Sequence, residues 1–515
     1  MKIFLILAVS SVLFIHGLGA TSLWDPDEPR QAIMAREMME RSEYIRPYLN
    51  GKPYLEKPPL YPWMVIAASW ISGTVDEFSA RIPAALSATC LIVITYYLGC
   101  ILADPSAGLL SALMLATNFQ FLNSARDSVM DMAFALFIGA VILLSYLAII
   151  HKKPWYLVLS FLPGALAMLT KGPAGLAVPA AIMFAYLCIT KELRRFIMPL
   201  VVGCVLSGAL GSMWFLVAGD DYWREFILRQ NFVRYTSAFD HKESLFYYFP
   251  KIFNNFLPWS IPLPFAVYGA FKKKLWLPLV WLVITFLFFE FSASKRAVYL
   301  LPLYPACALL CGCYIRERGQ AFFDHRPTHC LLRLCALLLI VTPCAFLTSL
   351  LISSQPILVA FRQDPTTYGA AAALTSVGFV LLFLLTKKRA ASSLVALFVY
   401  FVVAGAFYHL LYLQVLDRTT KSPRLITESI RDSMPGGETA TFGFDSPGVI
   451  FYLGKPVQTF YSSQAIKPAK SDIMLIVKDS FATDAKRELE EHFVPIRTVM
   501  YEGKNYTFYR NKYGQ

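Results

Sequence analysis

The stretch SLWDPDEPRQAIMAREMMERSEY, residues 22–44, follows a greasy segment and carries six acidic side chains among its twenty-three residues. It sets Asp27 and Glu28 between two prolines, with Arg30 beside them. Pro29 suits the first turn of a helix, and carboxylates there suit the positive end of the helix dipole. Capping is enough to account for Glu28. It leaves Arg30 unexplained, and also a second charged pair, Glu56 and Lys57, held in PYLEKPP.

Cations fixed at headgroup level can stabilise the charge left on a lipid phosphate when a glycosidic bond to it breaks. A carboxylate across the sugar can orient or deprotonate the attacking group, as in other inverting glycosyl chemistry. Arg30, Lys57 and Lys171 are the cations that fit, and Asp27 is the carboxylate.

Such residues need a membrane scaffold to hold them, and the composition supplies one. Of 515 residues, 57% are hydrophobic and 16% charged, whereas a soluble domain carries about a quarter charged. Mean hydropathy is +0.52. The net charge of +13 does not indicate nucleic acid. The basic residues cluster in short segments between apolar runs: HKKP at 151–154, KELRR at 191–195, KKK at 272–274, RERG at 316–319 and KKR at 387–389. That is the pattern of cytoplasmic loops. The ten cysteines lie in predicted spans or in the 316–331 loop, so no disulfide framework is implied.

Apolar runs of spanning length predict thirteen helices: 3–20, 79–103, 106–123, 130–150, 155–170, 174–190, 197–217, 258–271, 275–291, 297–314, 332–353, 369–386 and 390–413. The first is read as a retained helix, with a cleaved signal peptide as its alternative. With the amino terminus inside, every basic cluster falls on the cytoplasmic face. The opposite face then gathers the 21–78 loop, NSARDSVMD at 123–131, LTKGPAG at 169–175, the 218–257 loop and SASKRAVY at 292–299. Ionisable groups at membrane depth are costly and line cavities or pathways. The stretch after the first prolines keeps Ile33, Met34, Met38 and Met39 on one stripe, so a helix along the membrane surface is expected.

From about Asp417 the pattern changes. TATFGFDSPGVIFYLGKPVQTF and SDIMLIVKDSF run at strand lengths between Gly and Pro, and DAKRELEEHFV at 484–494 reads as an amphipathic helix. The expected fold class is thus an all-α polytopic membrane domain over residues 1–416 with a small soluble α/β domain over 417–515.

The order PDE-x-R, YLEKPP, SARDSVMD, LTKGPAG and SKRAVYLLPLYP resembles the bacterial GT-C glycosyltransferases of the protein O-mannosyltransferase superfamily. The nearest likeness is to the aminoarabinose transferases, which move 4-amino-4-deoxy-L-arabinose from undecaprenyl phosphate to lipid A. The resemblance spans roughly residues 1–415. It implies Asp27 as the essential first-loop aspartate and Asp131 as the second acidic residue, with Asp127 its rival. It implies a donor-phosphate region of Arg30, Tyr54, Lys57, Lys171 and Tyr299. It also implies a divalent metal on Glu56 and a histidine before the eighth span, where this chain has Asn231 and the nearest histidine is His241. The bland alternatives are a snorkelling Lys171, an aromatic-belt Tyr299 and an ordinary Asp127–Arg126 pair.

The function expected is a bacterial inner-membrane, multi-pass glycosyltransferase with its site and C-terminal domain on the periplasmic side. It would transfer a sugar from an undecaprenyl-phosphate donor to lipid A or to another glycan or protein acceptor. A protein O-mannosyltransferase or polysaccharide-modifying relative is the alternative enzyme. A lipid-linked sugar flippase is the other class, and the absence of a visible internal repeat weighs against it.

Overall fold

Seven helices among the described residues are long and apolar enough to cross a membrane: Glu77–Leu102, Asp131–Ile150, Leu193–Ala218, Ala297–Arg318, Arg326–Ile352, Pro365–Thr386 and Ala390–Ser433. The computed structural model describes residues 1–237, 240–433, 438–462, 473–483 and 486–512. Shorter apolar helices stand among them: Lys2–Ile15, Leu60–Ser72, Pro105–Ala116, Trp155–Lys171, Ala174–Ile189 and Trp276–Glu290. The protein is a multi-pass membrane protein. Its buried core runs through most of these helices, from Ile6 and Phe14 to Trp281 and Phe398.

Two departures from the sequence reading shape the site. The predicted span 106–123 ends early: helix Pro105–Ala116 stops, and Asn118 opens a separate helix, Phe119–Arg126, by accepting from the Phe121 amide at 2.7 Å. An Asn side chain that satisfies free amides is a strong helix start. The extended residue Asp127 follows, and helix Asp131–Ile150 begins after it.

The 21–78 loop holds two helices. Asp27–Arg41 is the expected amphipathic one. Leu60–Ser72 was not expected; at thirteen residues it is about 20 Å long, too short for a span. The two pack together through Ile33, Ala35, Met38, Val65 and Ile66. A hairpin, β1 (Tyr48–Leu49) with β2 (Lys52–Pro53), leads into the PYLEKPP turn.

The C-terminal part is built on one five-stranded sheet: β3 (Glu438–Phe442), β4 (Gln458–Phe460), β5 (Ile473–Lys478), β6 (Phe493–Tyr501) and β7 (Lys504–Asn511), in the order β4-β3-β5-β7-β6. β3 runs parallel to β4 and β5, while β7 is antiparallel to β5 and β6. The apolar run of β5 is buried throughout its first five residues, as a central strand requires. The helix expected over 484–494 is Lys486–His492, and Phe493 already belongs to β6; residues 484 and 485 lie outside the described residues. Helix Pro447–Leu453 packs Ile450 and Phe451 against the Asp27–Arg41 helix.

Candidate active site

Helix Asp27–Arg41 starts at Asp27, so its first turn sets Asp27 and Arg30 on one face and turns Glu28 away from them. The Asp27 carboxylate accepts from the Arg296 guanidinium at 2.5 Å on one oxygen and from Arg30 at 3.5 Å on the other. Arg296 lies just before the 3-10 helix Ala297–Leu303, and its backbone is held by the buried Tyr248 hydroxyl, which donates to the Arg296 carbonyl at 3.1 Å.

Glu28 points the other way, and it is more than a cap. Arg81 donates to both of its oxygens at 2.7 Å, and the amides of Trp24 and Ser128 donate at 3.0 and 2.9 Å. Glu28 and Arg81 are 8% and 4% exposed. This pair ties the first loop to helix Glu77–Leu102 and to the turn before Asp131.

Asp131 stands in the first turn of its helix and forms an ion pair with Lys171, the last residue of helix Phe161–Lys171. The Lys171 ammonium lies 4.0 Å from the centre of the Tyr299 ring, within cation–π range. Gly172 follows with φ +80°, and a Cβ there would meet Phe226 at 2.7 Å. The Lys-Gly turn therefore needs its glycine.

The PYLEKPP turn is held from below by Tyr222, whose hydroxyl donates to the Tyr54 carbonyl at 2.5 Å. The Tyr54 hydroxyl donates to Glu56 at 3.1 Å, and burial pushes the Tyr54 phenol up. Lys57 turns inward. Burial, and then the nearby charges of Arg234 and Lys171, push its ammonium down to about 8.

Lys57, Lys171 and Tyr299 line one cavity of about 500 Å³ together with Arg234. Ile227, Phe232, Phe288 and Phe289 supply its apolar wall. Arg234 pairs with Asp240 at 2.7 Å and donates to Ser294 at 3.3 Å. A cationic end and an apolar wall in one cavity suit a phosphate that carries a hydrocarbon chain.

Asp127 does not pair with Arg126. That guanidinium donates instead to the carbonyls of Leu13 and His16, at 3.0 and 2.9 Å. Burial, reinforced by Glu28, pushes the Asp127 carboxyl up to about 8. Of the two rival acids, Asp131 is ion-paired in the site, while Asp127 is half-buried beside the Glu28–Arg81 pair.

The residues around Glu56 do not fit a divalent cation. Among the described residues, no three His, Cys, Asp or Glu side chains gather. The Asn231 amide donates to the Phe226 carbonyl at 2.7 Å, and the cations Lys57 and Arg234 stand nearby.

Sequence reasoning placed Asp27, Arg30, Tyr54, Glu56, Lys57, Asp131, Lys171 and Tyr299 on one rim. In the structure Lys57, Lys171 and Tyr299 line the cavity, Asp131 pairs with Lys171, Asp27 with Arg30 and Arg296, and Tyr54 with Glu56. Arg30 faces Asp27 and is absent from the cavity lining. Two arginines were missed. Arg296 was in plain view inside SKRAVY. Arg234 lies in the 218–257 loop, where no motif marks it.

Three comparisons bear on this geometry. A family model described as dolichyl-phosphate-mannose-protein mannosyltransferase matches residues 56–215. An uncharacterized protein of Aquifex aeolicus is 31% identical over 325 residues, 62% of this chain and 64% of that one. The undecaprenyl phosphate-alpha-4-amino-4-deoxy-L-arabinose arabinosyl transferase of Pectobacterium atrosepticum is 27% identical over 331 residues, 61% of this chain and 59% of that one. The chain thus spans about three-fifths of the length of these curated relatives. Among solved structures, ArnT from Cupriavidus metallidurans bound to undecaprenyl phosphate superposes with a TM-score of 0.78 at 20% identity, covering 99% of this chain and 98% of that one. The fold is the one expected, a helical membrane domain with a small C-terminal sheet domain, and it is shared with that ArnT structure.

Proposed function

We propose that the protein is an inner-membrane glycosyltransferase that moves aminoarabinose, or a related sugar, from undecaprenyl phosphate to lipid A. The cavity carries this reading: Lys57, Lys171 and Arg234 meet at the end of an apolar wall, beside a carboxylate held by two arginines. The relatives named for this reaction and the fold shared with ArnT support the same donor. Residues 1–416 form the transferase domain and 417–515 a periplasmic α/β domain.

In the reaction, an acceptor oxygen attacks the anomeric carbon while its bond to the donor phosphate oxygen breaks. The bonding pair leaves with undecaprenyl phosphate, and the configuration inverts. Lys57 and Lys171, with Arg234, stabilise the negative charge on the leaving phosphate. Tyr299 orients Lys171 through its ring, Asp131 holds the same ammonium, and Tyr54 fixes the Lys57 turn. Asp27 faces the sugar from the other side. A lipid A phosphate is already anionic, so Asp27 then orients the sugar and stabilises positive charge on it. A hydroxyl acceptor, as in protein O-mannosylation, would hand its proton to Asp27.

The periplasmic orientation rests on charge. Helix Asp131–Ile150 starts at the site and ends at Lys152 and Lys153; Ala174–Ile189 starts there and ends at Lys191. Ala297–Arg318 follows Arg296 and ends at Arg316 and Arg318. Lys2 reaches that same basic face, donating to Ser106 beside the Asp104–Arg316 pair. The site lies at the opposite ends of the helices.

The test is transfer by purified protein in detergent, with undecaprenyl-phosphate aminoarabinose as donor and lipid A as acceptor, read by mass spectrometry. A pentose-amine mass shift is expected with the wild type and none with Asp27→Asn. Near-normal turnover by Asp27→Asn overturns the role of Asp27. Absence of product with every undecaprenyl-phosphate sugar overturns the enzyme reading in favour of a flippase.

A further inference from the structure

We propose that the C-terminal domain is a working part of the active site, and that Asp25 is the positioning residue through which it holds Asp27. Asp25 and Asp27 are separated only by Pro26, yet their carboxylates serve different parts of the protein. Asp27 faces Arg296 and Arg30. Asp25 accepts from the Gly448 amide at 2.6 Å, the Tyr501 hydroxyl at 3.1 Å and the Ser446 hydroxyl. All three donors belong to the C-terminal domain. Their seat is tight: a Cβ on Gly448 would fall 2.9 Å from the Asp25 carboxylate and 2.5 Å from Pro423.

The residues on either side are pinned as well. The Leu23 amide donates to the Tyr452 hydroxyl at 2.7 Å, and that hydroxyl donates to Glu77 at 2.9 Å. The Ser22 amide and the Trp24 indole donate to Asp417 at 3.1 and 2.7 Å, and the Ser22 hydroxyl bonds the same carboxylate. Glu28 is fixed by Arg81. Asp27 is therefore the acidic residue of this stretch left facing the cationic rim, and the position of its backbone is set from both sides. Asp25 sets it from the domain side.

A loop that carries a catalytic group needs a rigid support. Here part of that support comes from a domain none of whose described residues lines the cavity. The consequence is specific. Loosening the Asp25 seat shifts Asp27 relative to the anomeric carbon without touching the phosphate cations, and a displacement of about 1 Å costs on the order of a hundredfold in turnover.

The inference rests on the transfer reaction proposed above, and its test keeps the two apart. Asp25→Asn, Ser446→Ala and Tyr501→Phe are compared with the wild type in detergent for kcat, donor KM, thermal unfolding and amide hydrogen exchange. Asp25→Asn is expected to lower kcat roughly a hundredfold while donor KM stays within about threefold of the wild type, and to raise exchange over residues 22–30. Tyr501→Phe, which removes a single donor, is expected to cause a smaller fall of the same kind with unfolding temperature preserved, and it carries the test if Asp25→Asn does not fold. Ser446→Ala also removes the cap its hydroxyl gives the Val449 amide at 3.2 Å, so its fall in kcat is expected together with a lower unfolding temperature. An unchanged kcat in all three variants overturns the inference. So does a kcat loss that tracks a matching rise in KM. If the wild type itself transfers no sugar, the functional reading is what fails. Exchange over 22–30 then decides the seat by itself: unchanged exchange in Asp25→Asn overturns it, and raised exchange supports it.

Discussion

The Asp27 carboxylate and the Arg296 guanidinium meet at 2.5 Å across 269 positions of the chain. Arg30 takes the other oxygen at 3.5 Å. Two guanidiniums on one carboxylate fix its orientation more firmly than either alone, since each bond constrains a different oxygen. Arg296→Gln should lower kcat on the order of tenfold to a hundredfold with little change in donor KM. Asp27→Asn should cost on the order of a hundredfold to a thousandfold. A double-mutant cycle measured on kcat checks the coupling: if the two losses simply add, Arg296 does not act through Asp27.

The phosphate role proposed for Lys57 makes donor binding depend on pH. Its ammonium titrates near 8 in the free protein, against an ordinary 10.5, so it is charged below that value and neutral above it. Affinity for undecaprenyl phosphate should therefore fall as pH rises from 7 through about 8 to 9.5. Lys57→Arg stays charged throughout and should flatten the curve. Equal slopes for the two proteins would remove Lys57 from the phosphate site.

The Glu28–Arg81 pair is structural, and its loss should be read in stability. Removing one partner of a buried, hydrogen-bonded ion pair strands the other and costs about 3–5 kcal/mol. Glu28→Ala should reduce membrane yield and lower the unfolding temperature in detergent by far more than Asp27→Asn does. If Glu28→Ala unfolds like the wild type, Arg81 has found another partner.

Asp127 predicts a pH dependence of stability with a definite sign. Its carboxyl is raised from 3.8 to about 8, so between these values the folded chain holds a proton that the unfolded chain has released. Stability from this group is full below the lower value and is lost as pH rises towards the upper one. Asp127→Asn is neutral at every pH, so it should unfold at a higher temperature than the wild type at pH 8.5 and show a weaker pH dependence from pH 6 to 8.5. A variant less stable than the wild type at pH 8.5 contradicts the raised Asp127 carboxyl.

The local sequence was enough to mark most of the apolar helices, the basic clusters at their ends and the motifs PDE-x-R, YLEKPP, SARDSVMD and LTKGPAG that lie between them. These follow from hydropathy and from the cost of charge in a bilayer, which act on each segment separately. The early stop after Ala116 and the short Leu60–Ser72 helix were harder to read, because apolar composition alone does not mark where a helix breaks or whether it spans. Contacts between distant segments were decided by tertiary structure alone. Glu28 looked like a cap until Arg81 was seen across 53 positions, and Asp127 looked like the partner of Arg126 until that arginine was found on Leu13 and His16. Asp25 and Asp27 are two carboxylates flanking one proline, chemically alike in the sequence. Only the folded chain, by bringing Ser446, Gly448 and Tyr501 to the first and Arg296 to the second, gives one to the C-terminal domain and the other to the cationic site.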